Sequence, residues 1–207
     1  MTVLERHTGV LGITQSGKTY LFSNFLFKKS NSYSIMFDIK RDKTINSFAR
    51  KYNIDVVENI NDVSFKKGKI IFRRSKDRSK DDYINDVFHI IDSYFDSNKL
   101  IYFFIDEIAQ YSNKMNIPDP LEKLFTMGLG VGKIGVWSSQ RIQSVHNDII
   151  TQTENYFIFR VHSWDFNKMC EYGFISKNKQ DTINRWLKNK YHFTYYDGIE
   201  NEFVRPI

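Results

Sequence analysis

HTGVLGITQSGKT, from His7 to Thr19, is the stretch on which the reading of this sequence turns. It contains the pattern G-x-x-x-x-G-K-[ST], with Gly12, Gly17, Lys18 and Thr19 in register, and the apolar run Gly9-Val10-Leu11 leads into it as a core strand should. Main-chain N–H groups can wrap phosphate oxygens only where no Cβ stands in the way, which is why glycines recur at the bends. A helix starting near Gly17 aims the positive end of its dipole at the phosphates. Lys18 adds a cation for the β- and γ-oxygens, and the Thr19 hydroxyl is placed to ligate Mg²⁺. Thr14, Gln15, Ser16 and Tyr20 complete the expected nucleotide-binding set.

Outward from this loop, short apolar runs alternate with helical periodicity. Tyr20 to Lys29 reads as a helix and Tyr33 to Asp38 as a second core strand. Asn46 to Tyr52 is helical, and Ile54 to Val57 and Lys69 to Arg73 are strands. The charged segment Arg73 to Asp82 is a solvated loop or the start of the amphipathic helix that runs from Tyr83 to about Phe95. Leu100 to Glu107 is a buried strand ending on two acids, and Pro118 to Met127 a helix. Four glycines between Gly128 and Gly135 precede a strand over Ile134 to Ser139. Loop and helix over Ile142 to Thr151, a strand over Tyr156 to Val161 and a helix over Asp165 to Tyr172 follow. A helix over Ser176 to Asn189, with Ser176 as N-cap, then leads to a hairpin about Asp197-Gly198. The expected architecture is α/β: a mainly parallel sheet flanked by helices on both faces, with a C-terminal β-hairpin and the ligand at the C-terminal strand ends.

Composition sets bounds on this reading. The 207 residues, 41% of them hydrophobic, suffice for one sizeable core, so a single domain over 1–207 is expected. No apolar run approaches the roughly 18 to 20 residues that cross a bilayer, and a signal-peptide core is lacking, which points to a soluble intracellular protein without stable transmembrane insertion. The lone Cys170 argues against a disulfide or a zinc cluster. Thirty Lys and Arg against twenty-four Asp and Glu leave a net charge of +6, which favours a polyanionic partner.

Two further pieces of chemistry stand downstream. Asp106, after five apolar or aromatic residues, is placed to hold the Mg²⁺ shell, and Glu107 to polarise an attacking water in line with a γ-phosphate. Gln140, at the end of the following strand, offers an amide to that phosphate or water.

Taken in order, GITQSGKT, FDIKRD, YFFIDE, the glycine patch before GVWSSQR, and NYFIFRVHSWD resemble the motifs of the FtsK–HerA superfamily of DNA-pumping ATPases over roughly residues 7 to 170. Compactness makes the chain most similar to the genome-packaging ATPases of membrane-containing icosahedral viruses. The resemblance implies a RecA-like P-loop core, a hexameric ring with ATP at subunit interfaces and double-stranded DNA in the central channel. It also implies docking to capsid or internal-membrane proteins at a vertex, in the host cytoplasm and transiently at the procapsid. Lys18 and Thr19 match the phosphate cradle, Asp106 and Glu107 the acidic pair, and Gln140 the sensor. Asp38 and Lys40 match an acid and a lysine after the second strand. Many relatives carry a basic residue after the first glycine of the patch, where this chain has Gly128-Leu129. An arginine finger must then come from elsewhere, with Arg73, Arg74 and Arg78 as candidates and Arg141 and Arg160 in reserve. The same basic loop, or Lys114, is also a candidate for DNA phosphates.

Three other readings compete. Asn178-Lys179-Gln180-Asp181 spells the N-K-x-D guanine motif, but within the first turns of a helix rather than at a strand end. A small-molecule kinase would need neither Glu107 nor Gln140. A non-catalytic, nucleotide-switched assembly module would keep the loop without the water chemistry.

Overall fold

A computed structural model describes residues 4–30, 33–64 and 68–206. Nine strands form one sheet in the order β3-β4-β2-β5-β6-β1-β7-β8-β9. They are β1 (Thr8–Leu11), β2 (Tyr33–Asp38), β3 (Asp55–Val57), β4 (Lys69–Arg73), β5 (Ile101–Ile105), β6 (Lys133–Ser139), β7 (Asn155–Ile158), β8 (Phe193–Tyr196) and β9 (Asn201–Val204). From β3 to β7 every pairing is parallel, and β8 and β9 add on antiparallel as the expected hairpin. Asp197 shapes the hairpin turn by accepting at Oδ1 from the amides of Ile199 and Glu200, both at 2.9 Å.

A parallel sheet is buried on both faces, so its strands read as continuous apolar runs whose side chains divide alternately between two cores. In β5, Ile101, Phe103 and Ile105 join one core, while Tyr102 and Phe104 join the other. The first core is closed by α3 (Lys80–Phe95), α4 (Asp119–Met127), α5 (Asn147–Thr151), α6 (Ser163–Glu171) and α7 (Gln180–Leu187). The second is closed by α1 (Lys18–Tyr20), with its π-helical continuation Leu21–Phe27, and by α2 (Lys43–Tyr52). In the π-helical stretch, Ser23 Oγ donates to the Thr19 carbonyl at 2.7 Å, a side chain competing inside the backbone ladder.

Helix starts differ most from the expectation, because caps decide them. α2 begins three residues early, where Asp42 accepts from the Thr44 amide at 2.6 Å. The charged loop is shortened in the same way: Ser79 caps α3 by accepting from the Asp82 amide at 3.0 Å. Ser176 does not cap α7. Its amide and hydroxyl both turn to Asn201 Oδ1 on β9, at 3.1 and 3.3 Å, and a 3₁₀ turn over Lys177–Lys179 precedes the helix. The glycine patch winds as a 3₁₀ turn, Gly128–Val131, and Lys133 beside it is buried. Its ammonium donates to the carbonyls of Ser97, Lys99 and Val131, so it is not free for a ligand. Among the described residues no helix is long and apolar enough to cross a membrane.

Candidate functional site

Because β1, β5 and β6 are adjacent and parallel, the loops after them leave the sheet at the same edge. The loop after β1 carries residues 12–17, the turn after β5 carries Asp106 and Glu107, and the residue after β6 is Gln140. Thr14, Gln15, Ser16, Gly17, Lys18, Thr19, Tyr20, Asp106, Glu107 and Gln140 accordingly line one cleft of about 440 Å³. Lys40, Asp42, Thr44, Lys190 and Tyr191 complete its wall.

Local backbone geometry builds the loop. Gly17 has φ 105°, where a side chain is strained, and Lys18 opens α1 directly after it. Gly12 departs from the expectation that it cradles phosphate. Its amide donates to the Ser139 carbonyl at 3.2 Å, and it does not line the cleft. Its lack of a Cβ serves packing instead, since a Cβ would come within 2.7 Å of Phe159 Cβ and of Ser16 Oγ. Ser16 Oγ is itself buried without a hydrogen-bond partner. Lys18 Nζ donates to the Ile13 carbonyl at 3.1 Å, folded back across its own loop, and burial lowers its pKa.

Opposite the loop, Ser138 Oγ donates to Asp106 Oδ1 at 2.6 Å and receives the Glu107 amide at 3.0 Å, holding both acids against β6. Glu107 adopts the left-handed conformation, φ 56° and ψ 62°, a strain that turns its side chain away from the strand direction. Its Oε2 accepts from Lys40 Nζ at 2.8 Å and from Gln140 Nε2 at 3.1 Å, while Gln140 Oε1 accepts from Thr14 Oγ1 at 3.0 Å. One hydrogen-bonded row thus crosses from the phosphate loop to the turn after β2.

Burial pushes the Asp106 carboxyl up from 3.8 to about 6. The fold therefore disfavours its ionised form: the cost is absent below about pH 4, builds between pH 4 and 6, and is constant above. Asp106→Asn is expected to stabilise the protein at pH 7.5 by about 3 kcal/mol, since each tenfold change in a protonation constant is worth roughly 1.4 kcal/mol, and by well under about 1 kcal/mol at pH 4. Urea unfolding of both proteins at the two pH values checks this, and equal stabilities at pH 7.5 would refute it. A divalent cation would relieve the same cost. Asp106 and Thr19 line the same cleft, a carboxylate and a hydroxyl of the type that can ligate a divalent ion, and among the described residues no group of three or more His, Cys, Asp or Glu forms a metal cage.

The arginine candidates separate clearly. Arg73 is buried and ion-paired to Asp38, Nε and Nη2 lying 2.8 and 2.7 Å from Oδ2, with Nη1 on Asn46; it is a structural strut. Arg78 pairs with Asp86 at 2.8 Å. Arg141 reaches toward the buried Asp165 at 3.7 Å, and Arg160 is exposed beside a groove between α6 and α7. Arg74 is half-buried, and its Nε, like that of Arg78, has no hydrogen-bond partner. Lys114 is exposed in the tight turn bounded by Asn113 and Asn116.

Sequence reasoning missed Asp42, Thr44, Lys190 and Tyr191. The first two form the cap and first turn of α2, ahead of where the apolar periodicity starts the helix, and the last two sit in a turn between α7 and β8 that carries no motif. A second, apolar pocket of about 430 Å³ adjoins the cleft, lined by Tyr20, Leu21, Phe159, Tyr191, Phe193 and Pro206. None of Asn178, Lys179, Gln180 and Asp181 lines either pocket, and Lys179 instead reaches Glu200 and the Asn201 carbonyl.

No protein-family model matches the chain, and no curated protein matches it. Solved structures do. The genome packaging NTPase from Sulfolobus turreted icosahedral virus 2, in complex with ATP-gammaS, superposes with a TM-score of 0.74 at 17% identity, covering 100% of both chains. The DNA-packaging ATPase from Sulfolobus turreted icosahedral virus gives 0.70 at 15% identity, again over 100% of both. VirB4 of Thermoanaerobacter pseudethanolicus gives 0.72 at 9% identity, over 97% of this chain and 89% of that one. The chain therefore has the α/β fold of these P-loop ATPases.

Proposed function

We propose that this protein is an ATP-hydrolysing motor that translocates double-stranded DNA and packages a viral genome into a capsid. The observation that carries the reading is the convergence of the phosphate loop, Asp106, Glu107 and Gln140 on one cleft. A binding switch needs only the loop, and a kinase needs an acceptor site in place of a carboxylate aimed at water. The likeness to two packaging ATPases over the full chain length supports DNA as the load.

In this reading the amides of residues 14–18 hold the β- and γ-phosphates, Lys18 swings from the Ile13 carbonyl onto their oxygens, and the apolar pocket takes the base. Thr19 and Asp106 would hold a Mg²⁺ ion, which supplies charge neutralisation between the phosphates. Glu107 orients and deprotonates the attacking water, and Gln140 contacts the γ-phosphate or that water. β4 lies four strand spacings of about 4.8 Å from β1, so Arg74 lies roughly 19 Å from its own loop and serves the nucleotide of a neighbouring subunit. That requires a homo-oligomer, for which a hexameric ring around duplex DNA is the natural form. The chain forms one functional unit over 1–207, working at the procapsid in the host cytoplasm and docked on capsid or internal-membrane proteins at a vertex.

The deciding experiment measures ATPase activity with and without duplex DNA, alongside particle mass in solution with nucleotide. Stimulation by DNA together with a ring-sized particle is expected. DNA binding should be indifferent to sequence and fall steeply with salt, as phosphate contacts require. Activity that ignores DNA, or turnover onto a small-molecule acceptor, would displace the motor reading.

A further inference from the structure

We infer that Lys40 is a phosphate-triggered restraint on Glu107, holding the carboxylate while the site is empty and releasing it when a nucleoside triphosphate enters. The inference rests on the nucleotide-site reading above and adds a residue to it.

Glu107 Oε2 accepts two hydrogen bonds, from Lys40 Nζ at 2.8 Å and Gln140 Nε2 at 3.1 Å. An oxygen so engaged has little capacity left for a water O–H, so the base cannot orient its nucleophile at that atom. The Glu107 side chain is 9% exposed, whereas that of Lys40 is 42% exposed, so the lysine is the partner with room to move.

The segment from which Lys40 projects is fixed on both sides. Asp38 is ion-paired to Arg73 and accepts the Asp42 amide at 3.0 Å. Arg41, at φ 57°, donates to the Arg74 carbonyl at 2.6 Å and pairs with Glu58 at 2.9 Å. Movement is thereby confined to the four-carbon stem of Lys40, which lines the same cleft as Lys18 and Thr19.

A terminal phosphate offers three oxygens and more charge than a carboxylate, so it outcompetes Glu107 for the ammonium. A diphosphate ends one phosphate short and leaves the pair intact. Lys40 then couples recognition of the third phosphate to the freeing of an acceptor site on Oε2, so that this oxygen becomes available to water as the substrate arrives.

Calorimetry with ADP and with ATP-gammaS on the full chain tests this through a double-mutant cycle. Glu107→Gln is expected to tighten ATP-gammaS binding about fivefold, the ratio a half-exposed ion pair can impose once it no longer competes, while ADP affinity stays the same. Lys40→Ala should weaken ATP-gammaS selectively, and Lys40→Ala with Glu107→Gln together should show no gain over Lys40→Ala alone. An equal gain from Glu107→Gln with and without Lys40 would mean simple charge repulsion and overturn the inference. So would a Lys40→Ala effect that is equal for both nucleotides, or absent. Failure of the unaltered protein to bind either nucleotide would instead bring down the site reading itself.

Discussion

Replacing Glu107 by glutamine is expected to lower kcat for ATP hydrolysis by about a thousandfold, within the range that a positioned general base contributes, with nucleotide binding retained. The change removes the carboxylate proposed to take a proton from water and keeps a side chain of the same length. The Glu107 main-chain amide is bonded to Ser138, so the turn itself should survive. Single-turnover hydrolysis alongside calorimetric nucleotide binding separates chemistry from affinity. Unchanged turnover in this variant would remove Glu107 as the base and count against the motor reading.

Arg74→Ala is expected to abolish hydrolysis on a comparable scale, about a thousandfold, as arginine fingers do, but by a different route. Arg74 follows β4, four strands away from β1, and does not line the cleft, so nucleotide binding by dilute protein should be unchanged while activity of the assembled protein is lost. Mixing supplies the decisive control. Subunits carrying Arg74→Ala and subunits carrying Lys18→Ala are each inactive alone, yet together they form interfaces that pair an intact loop with an intact arginine. Partial recovery on mixing is the expected result, and no recovery would exclude Arg74 as a residue acting across the interface. Arg78→Ala, which loses only an ion pair with Asp86 on α3, should retain most activity.

Much of the site is legible along the chain because its chemistry is local. The loop from Gly12 to Thr19 needs its glycines, lysine and threonine at set spacing whatever surrounds them, and the run Ile101–Ile105 before Asp106 marks a strand buried on both faces. What spacing cannot convey is which polar groups compete for each other. Gly12, Arg73 and Ser176 all carry plausible local roles, yet their donors go to Ser139, Asp38 and Asn201, partners far away along the chain. The helix starts at Lys43 and Lys80 escape the pattern for a milder reason. Their capping acceptors, Asp42 and Ser79, lie in charged stretches where periodicity is silent.

From residue order alone came the alternating α/β architecture, the phosphate loop, the acidic pair and the terminal hairpin, because each depends on contacts within a few residues or on burial of one continuous apolar run. The order of strands in the sheet belongs to tertiary structure. Only the placement of β6 between β1 and β5 brings Gln140 between Thr14 and Glu107, and only the neighbouring β2 delivers Lys40 to the same carboxylate. These are long-range pairings whose free energy comes from packing two cores across a sheet, and no short window of sequence contains both partners.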